Sequence, residues 1–191
     1  MRCAVAVAPL RRDPDDASEQ VTQALAGEPL RIEERHAEWA RVVTAYDYPG
    51  WVRLEQLEEG EGSLVPPTRT DPLRLARGYL GAPYEWGGLT RAGIDCSGLV
   101  HVSYRETGVL VPRDSWQQEE AGTTVASGAE QPGDVVTYGD GSRADHVAFW
   151  LGEGRILHAT ARDDLGVVEE REPVELEARR RAVVRFARMA S

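Results

Sequence analysis

An α+β domain standing behind a small, separate β-barrel is the fold this sequence predicts, and three observations predict it. From Met1 to about Glu59 the apolar residues come in short alternating pieces broken by turn residues, which reads as a barrel of about 60 residues. The stretch Glu58-Glu59-Gly60-Glu61-Gly62-Ser63 followed by Pro66-Pro67 is acidic and flexible, then stiff, as a linker is. From Asp71 onward helical patterns come first and strands later, which is the order of an α+β domain and not of a doubly wound sheet. The predicted divisions are 1–60 for the barrel, 61–70 for the linker and 71–191 for the second domain.

In the first part, Cys3 to Ala8 reads as one strand, followed by strands around Leu30 and Ile32, from Trp39 to Val43, and through Trp51, Val52 and Leu54. Gly27, Pro29 and Tyr48-Pro49-Gly50 punctuate them as turns. Asp71 suits a helix N-cap and Pro72 the first helical position, so a helix is expected through Leu80, ended by Gly81 and Pro83. A second helix is expected from Cys96 to Thr107, with Gly108 as its stop, and a short one capped by Ser115 and running through Glu120. Strands follow at Asp134–Tyr138, Asp145–Leu151, Arg155–Ala159 and Ala182–Arg188.

The formal net charge of -10 argues against nucleic acid, an anionic membrane surface or another polyanion as partner, and favours a small substrate. Every formal cation is Arg, which removes Schiff-base and lysine-base chemistry. The two cysteines could form at most one disulfide, and that bond would silence Cys96, so a reducing compartment is expected. The apolar run near the N-terminus is too short for a signal-peptide core, and no stretch approaches the ~20 apolar residues of a membrane helix, so a cytoplasmic location is expected. Oligomeric state is not legible.

The chemistry centres on Cys96, placed where a helix begins, with His146 and His158 downstream. Unpaired N–H groups at a helix start and a nearby imidazolium lower a thiol's pKa, so a nucleophilic thiolate is expected. If Gly152-Glu153-Gly154 is a three-residue hairpin loop, Leu151 opposes Arg155, Ala148 opposes His158, and the two histidines share a face as diagonal neighbours. A loop one residue longer or shorter would separate them. His146, at a strand start, is expected to be the base and His158 its orienter, with Cys96 brought to the same face.

The pieces Tyr79-Leu80-Gly81-Ala82-Pro83-Tyr84-Glu85-Trp86-Gly87-Gly88, Asp95-Cys96-Ser97-Gly98-Leu99-Val100, Pro112-Arg113-Asp114-Ser115 with Gln118, Pro132-Gly133-Asp134, His146-Val147 and His158-Ala159 occur in that order. In them the chain resembles the NlpC-type papain-like cysteine peptidases of bacterial cell-wall peptides. Trp39-Ala40-Arg41-Val42 and Asp47-Tyr48-Pro49-Gly50-Trp51-Val52 resemble a bacterial SH3-like domain. The combination is similar to γ-D-glutamyl-L-diamino acid endopeptidases, which trim murein peptides bearing a free N-terminal L-Ala. The resemblance implies Cys96 as nucleophile, His146 as base and His158 as third member, without metal or cofactor. It further implies that Asp95, Ser97 and Tyr48 hold the substrate's amino end. On chemical grounds the Cys96 N–H, with the Tyr84 hydroxyl, is expected to help at the oxyanion, and Trp86 and Ser115 are further candidate substrate-binding residues. Glu28 and Glu34 are further candidates only.

Plainer readings compete at several positions. Asp95 could be a simple helix cap, Tyr48 a turn residue, and Trp86 a wall packed beneath the site. His36 and His101 have no partners at useful spacing and are read as structural or exposed, Cys3 as a strand residue, and Arg179-Arg180-Arg181 as a solvated patch. A zinc site from Cys96, His146 and His158 is a second enzyme reading, although the usual zinc spacings are absent. Hydrolysis of intact peptidoglycan, an amidase or acyltransferase activity using the same cysteine and histidine, and a non-catalytic wall-peptide module also compete with the peptidase reading.

Overall fold

The computed structural model describes residues 1–187 and divides into two compact units. The first is Met1–Val65 together with Trp86–Gly88, and the second comprises Pro66–Glu85 and the chain from Leu89 onward.

The first unit is built of β1 (Arg2–Cys3), β2 (Val7–Arg11), β3 (Gln20–Leu25), β4 (Leu30–His36), β5 (Trp39–Thr44), β6 (Pro49–Arg53) and β7 (Leu57–Glu58). Five strands pair antiparallel in the order β3-β2-β6-β5-β4, an open order with β3 and β4 at its edges, and β1 pairs with β7. Cys3, Leu10, Ala24, Leu30, Val42 and Val52 belong to its core. The expected strand Cys3–Ala8 is broken because the chain changes partners there: the Ala4 N–H donates to Gln56, while the Ala6 carbonyl accepts from Ala26. Strand β3 escapes the sequence pattern because Thr22, Gln23 and Ala24 are buried in succession, which erases the alternation. The turn before β6 lies one step earlier than expected, with Asp47 at φ 58°, and Gly50 is inside the strand, where a Cβ would come within 2.8 Å of Leu10.

The second unit contains α1 (Pro72–Arg77), β8 (Leu89–Thr90), β9 (Gly93–Ile94), α2 (Cys96–Arg105), α3 (Ser115–Ala121), β10 (Thr123–Thr124), β11 (Val135–Tyr138), β12 (His146–Gly152), β13 (Arg155–Thr160), β14 (Gly166–Arg171), α4 (Val174–Glu177) and β15 (Arg180–Arg185). Its sheet is antiparallel in the order β10-β15-β11-β12-β13-β14. Leu99, Val100 and Val102 of α2 pack with Val135, Val147, Phe149 and Leu157 into one core, while Val136, Tyr138, Ala148, Ile156 and Val183 form a second cluster with Leu176 of α4. Alternate residues of the same strands serve the two faces.

Asp71 caps α1 through Leu73 and Arg74 as expected, but the helix closes at Gly78, short of Leu80. The cap of α3 is Asp114, not Ser115: the Gln117 side chain accepts from the Asp114 N–H in a capping box. Gly108 does follow α2 in the left-handed region at φ 85°. Strand β14 is absent from the sequence expectation, since Glu169-Glu170-Arg171 looks like solvated chain. In the fold these carboxylates are spent in ion pairs, Glu169 with Arg77 and Glu170 with Arg162. The last strand begins at Arg180, two residues earlier than expected, and Arg188 lies outside the described residues.

The β12–β13 hairpin reaches the expected register by a different route. Its loop is two residues, Glu153 and Gly154, at φ 53° and 69°, and Gly152 opposes Arg155. Leu151 is bulged out between Trp150 and Gly152, which restores the pairing of Phe149 with Leu157. The shorter loop and the extra residue cancel, and the parity of the two histidines survives.

Gly166 opens β14 at φ 65°, and a Cβ there would lie 2.1 Å from the Ala82 carbonyl oxygen. Gly166→Ala is therefore expected to destabilise the fold by roughly 2–4 kcal/mol, read as a lower denaturation midpoint with an unchanged m-value.

Candidate active site

Cys96 is the first residue of α2 because Asp95, in extended conformation, caps the helix by accepting from the Gly98 N–H at 2.6 Å. That carboxylate is buried, and the guanidinium of Arg113, itself only 1% exposed, donates to both its oxygens at 2.9 and 2.6 Å. Arg113 also donates to the Ser97 hydroxyl at 2.9 Å. The buried Gln118 amide donates to the carbonyls of Ser97 and Pro112, so the segment before α3 is latched to the start of α2. The Ser115 hydroxyl donates to the Ala144 carbonyl, two residues before His146.

The Nε2 of His146 and the Nδ1 of His158 are 2.8 Å apart, and the Nε2 of His158 is 2.9 Å from a carboxylate oxygen of Glu170. Arg162 grips that carboxylate at 2.7 and 2.6 Å. The expected sharing of a face by the two histidines is thus realised, and the rings lie with Tyr138, whose ring centroid is 5.7 Å from that of His146. Cys96, by contrast, belongs to the cluster of Val147, Phe149 and Leu157 on the other face. The sulfur meets β12 at its backbone, where the Val147 N–H faces it, directly after His146. Among the described residues the sulfur and the His146 ring are not hydrogen-bonded to each other; such contacts commonly tighten only when substrate binds. His146, the first residue of its strand, borders a cavity of about 310 Å³ shared with Thr160, Arg162, Leu176 and Arg179.

The electrostatics correct one expectation. The thiol of Cys96, 6% exposed, is pushed up to about 12, first by burial and second by the Asp95 carboxylate; the N–H groups of Val147 and Ser97 and the charge of Arg113 oppose this without prevailing. Burial first, and then the proximity of His158 and of the Arg179 charge, hold His146 down to about 3. The resting pair is thiol and neutral imidazole, so the proton has to leave the sulfur as it attacks. Burial likewise lowers His158, with Glu170 acting against it, and raises the Tyr84 hydroxyl, which feels Cys96 and Asp95 and stays a donor.

Ser97 lies in the Asp95–Arg113 network, and Tyr84, half-buried, bridges to Ile94 beside the cysteine helix. Trp86 is 58% exposed, not packed as a wall; its indole N–H donates to Glu19 and its carbonyl accepts from Gln20, both within the first unit. Tyr48, also in the first unit, exchanges backbone bonds with Thr44 and lies against Tyr46. His101 is buried against the Val111 carbonyl, and Arg179, Arg180 and Arg181 are each ion-paired, with Asp145, Glu172 and Glu119. Among the described residues no group of three His, Cys, Asp or Glu is placed to hold a metal ion.

Sequence reasoning misses Glu170 and Arg162, which lie beyond the motif pieces and on a strand disguised by charge. It assigns Arg113 no role, although an arginine in a motif piece that also carries a buried glutamine is a usable signal. Asp95 is expected to be an anion awaiting an ammonium; in the fold it already has a cation.

The family model described as NlpC/P60 matches residues 81–182, and one described as a bacterial dipeptidyl-peptidase SH3 domain matches 10–57. A γ-D-glutamyl-L-lysine dipeptidyl-peptidase of Bacillus cereus is 31% identical over 62% of this chain and 37% of its own length. The Escherichia coli protein named murein DD-endopeptidase MepS/murein LD-carboxypeptidase is 35% identical over 50% of this chain and 51% of its own. The chain thus spans about half or less of these curated relatives. The crystal structure of an NlpC/P60 family protein from Bacillus cereus superposes with a TM-score of 0.59 at 22% identity, covering 97% of this chain and 62% of that one, and supports the fold.

Two outcomes are expected. Arg113→Leu strips the buried Asp95 carboxylate of its guanidinium and should cost about 3–5 kcal/mol in chemical denaturation. His101 and His146, held to about 3 against an ordinary 6.5, stay neutral in the fold while the unfolded chain takes up protons below 6.5. Stability is therefore full above that pH and falls below it, by up to about 1.4 kcal/mol per pH unit and ring, so the Tm should be lower at pH 5 than at pH 7.

Proposed function

We propose, for a chain that belongs to the NlpC/P60 family, that it is a cysteine peptidase cleaving the bond between γ-D-Glu and the diamino acid of murein peptides with a free N-terminal L-Ala. The observation that carries this reading is a cysteine at a helix start next to a strand whose first residue is a histidine bonded to a second histidine. The SH3-type match and the name of the Bacillus cereus relative support the choice of bond.

In this reading Sγ of Cys96 attacks the γ-carbonyl carbon, its proton passes to Nδ1 of His146, and the carbonyl's π pair moves onto oxygen. The N–H of Cys96 at the helix start and the protonated Tyr84 hydroxyl stabilise that oxygen. The C–N bond then breaks and the departing amine takes the proton from His146. Water attacks the thioester, gives a proton to His146, and the sulfur leaves and is reprotonated.

Because Arg113 already engages both oxygens of Asp95 and the Ser97 hydroxyl, the assignment of these residues, like that of Tyr48, to the substrate's ammonium rests on the resemblance. Trp86 and Ser115 carry at most auxiliary contacts, since their polar groups are spent on Glu19 and Ala144. Cytoplasmic recycling of short peptides fits the acidic charge and a free-amine requirement. A second reading, hydrolysis of intact peptidoglycan, is favoured by the name of the Escherichia coli relative.

Mass spectrometry on L-Ala-γ-D-Glu-diamino acid tripeptides, free and N-acetylated, separates the two. The free peptide should be cleaved at least about tenfold faster in kcat/KM, and Cys96→Ala should abolish turnover. Equal rates would remove the amine requirement, and persistent turnover by the alanine variant would remove the cysteine mechanism.

A further inference from the structure

We propose that Glu170 is a positioning residue: by accepting from His158 it fixes both imidazoles in the one tautomeric arrangement that leaves Nδ1 of His146 free to take a proton. Its role in turnover rests on the peptidase reading above, whereas the tautomer arrangement does not.

Two neighbouring histidines can share a hydrogen bond in either direction. If Nδ1 of His158 carried the proton, it would donate to Nε2 of His146, whose own proton would then sit on Nδ1 and could not accept another. A carboxylate has no proton to give. With Glu170 2.9 Å from Nε2 of His158, that nitrogen must be the donor, its Nδ1 the acceptor, and Nε2 of His146 the donor across the 2.8 Å contact. The register supplies the geometry: Glu170 pairs with Ile156, which puts it diagonal to His158 on the same face of the sheet. His158 is 1% exposed, so solvent does not set its tautomer. Arg162 binds both oxygens of Glu170 and holds the carboxylate in place. The group acts through His158 and touches neither sulfur nor substrate.

The test is a long-range 1H–15N correlation spectrum of the 15N-labelled full chain, combined with steady-state kinetics. Both His146 and His158 are expected as Nε2–H tautomers in the natural protein. In Glu170→Gln the amide can turn either face to His158, and in Glu170→Ala the partner is gone, so mixed or reversed tautomers are expected. Turnover should fall by about tenfold or more in kcat with KM within about twofold. An Nδ1–H tautomer at His158 in the unsubstituted protein would overturn the proposal, as would unchanged tautomers and kcat in both variants. If the unsubstituted chain turned over no murein peptide, the peptidase reading would fail while the spectrum alone still decided what Glu170 holds.

Discussion

A guanidinium buried against the start of one helix is the contact on which the site's geometry depends. Arg113 neutralises the Asp95 carboxylate that caps α2, and it reaches the Ser97 hydroxyl on the other side of Cys96. Without a cation, a carboxylate in that position would be too costly to bury. With it, the helix begins at the cysteine, and Gln118 locks the neighbouring segment to the same point. The arrangement carries an opposing effect, because the capping carboxylate lies close enough to disfavour a thiolate, and burial adds to that.

The site is consequently charge-neutral at its reacting end. Sulfur and imidazole rest as thiol and free base, and the nearby formal charges are tied into the pairs Asp95–Arg113, Glu170–Arg162 and Asp145–Arg179. Helix position alone therefore does not predict thiol acidity: the favourable N–H groups are present, but desolvation outweighs them. The hydrogen-bonded run from Glu170 through His158 to His146 crosses three adjacent strands, β14, β13 and β12, so the sheet order is what makes the relay continuous.

Much of this is legible in the sequence. Asp71-Pro72 marks the start of α1, Asp95 and Gly108 bracket α2, and the spacing of His146 and His158 locates a shared face. What the chain hides has physical causes. Charged residues conceal a strand when their partners come from distant sequence, as Arg77 does for Glu169 of β14. Consecutive burial in β3 erases its alternation. Burial of the thiol is a tertiary property with no local mark, and the same holds for which side of the sheet the cysteine approaches.

The bulge at Leu151 makes sidedness in this hairpin a matter of odd and even. A single insertion or loss between the two histidines sends one ring to the opposite surface unless a bulge takes up the odd residue, as happens at Leu151. Length variation in that connection is thus tolerated two residues at a time, or singly where the strand can gain or shed a bulge.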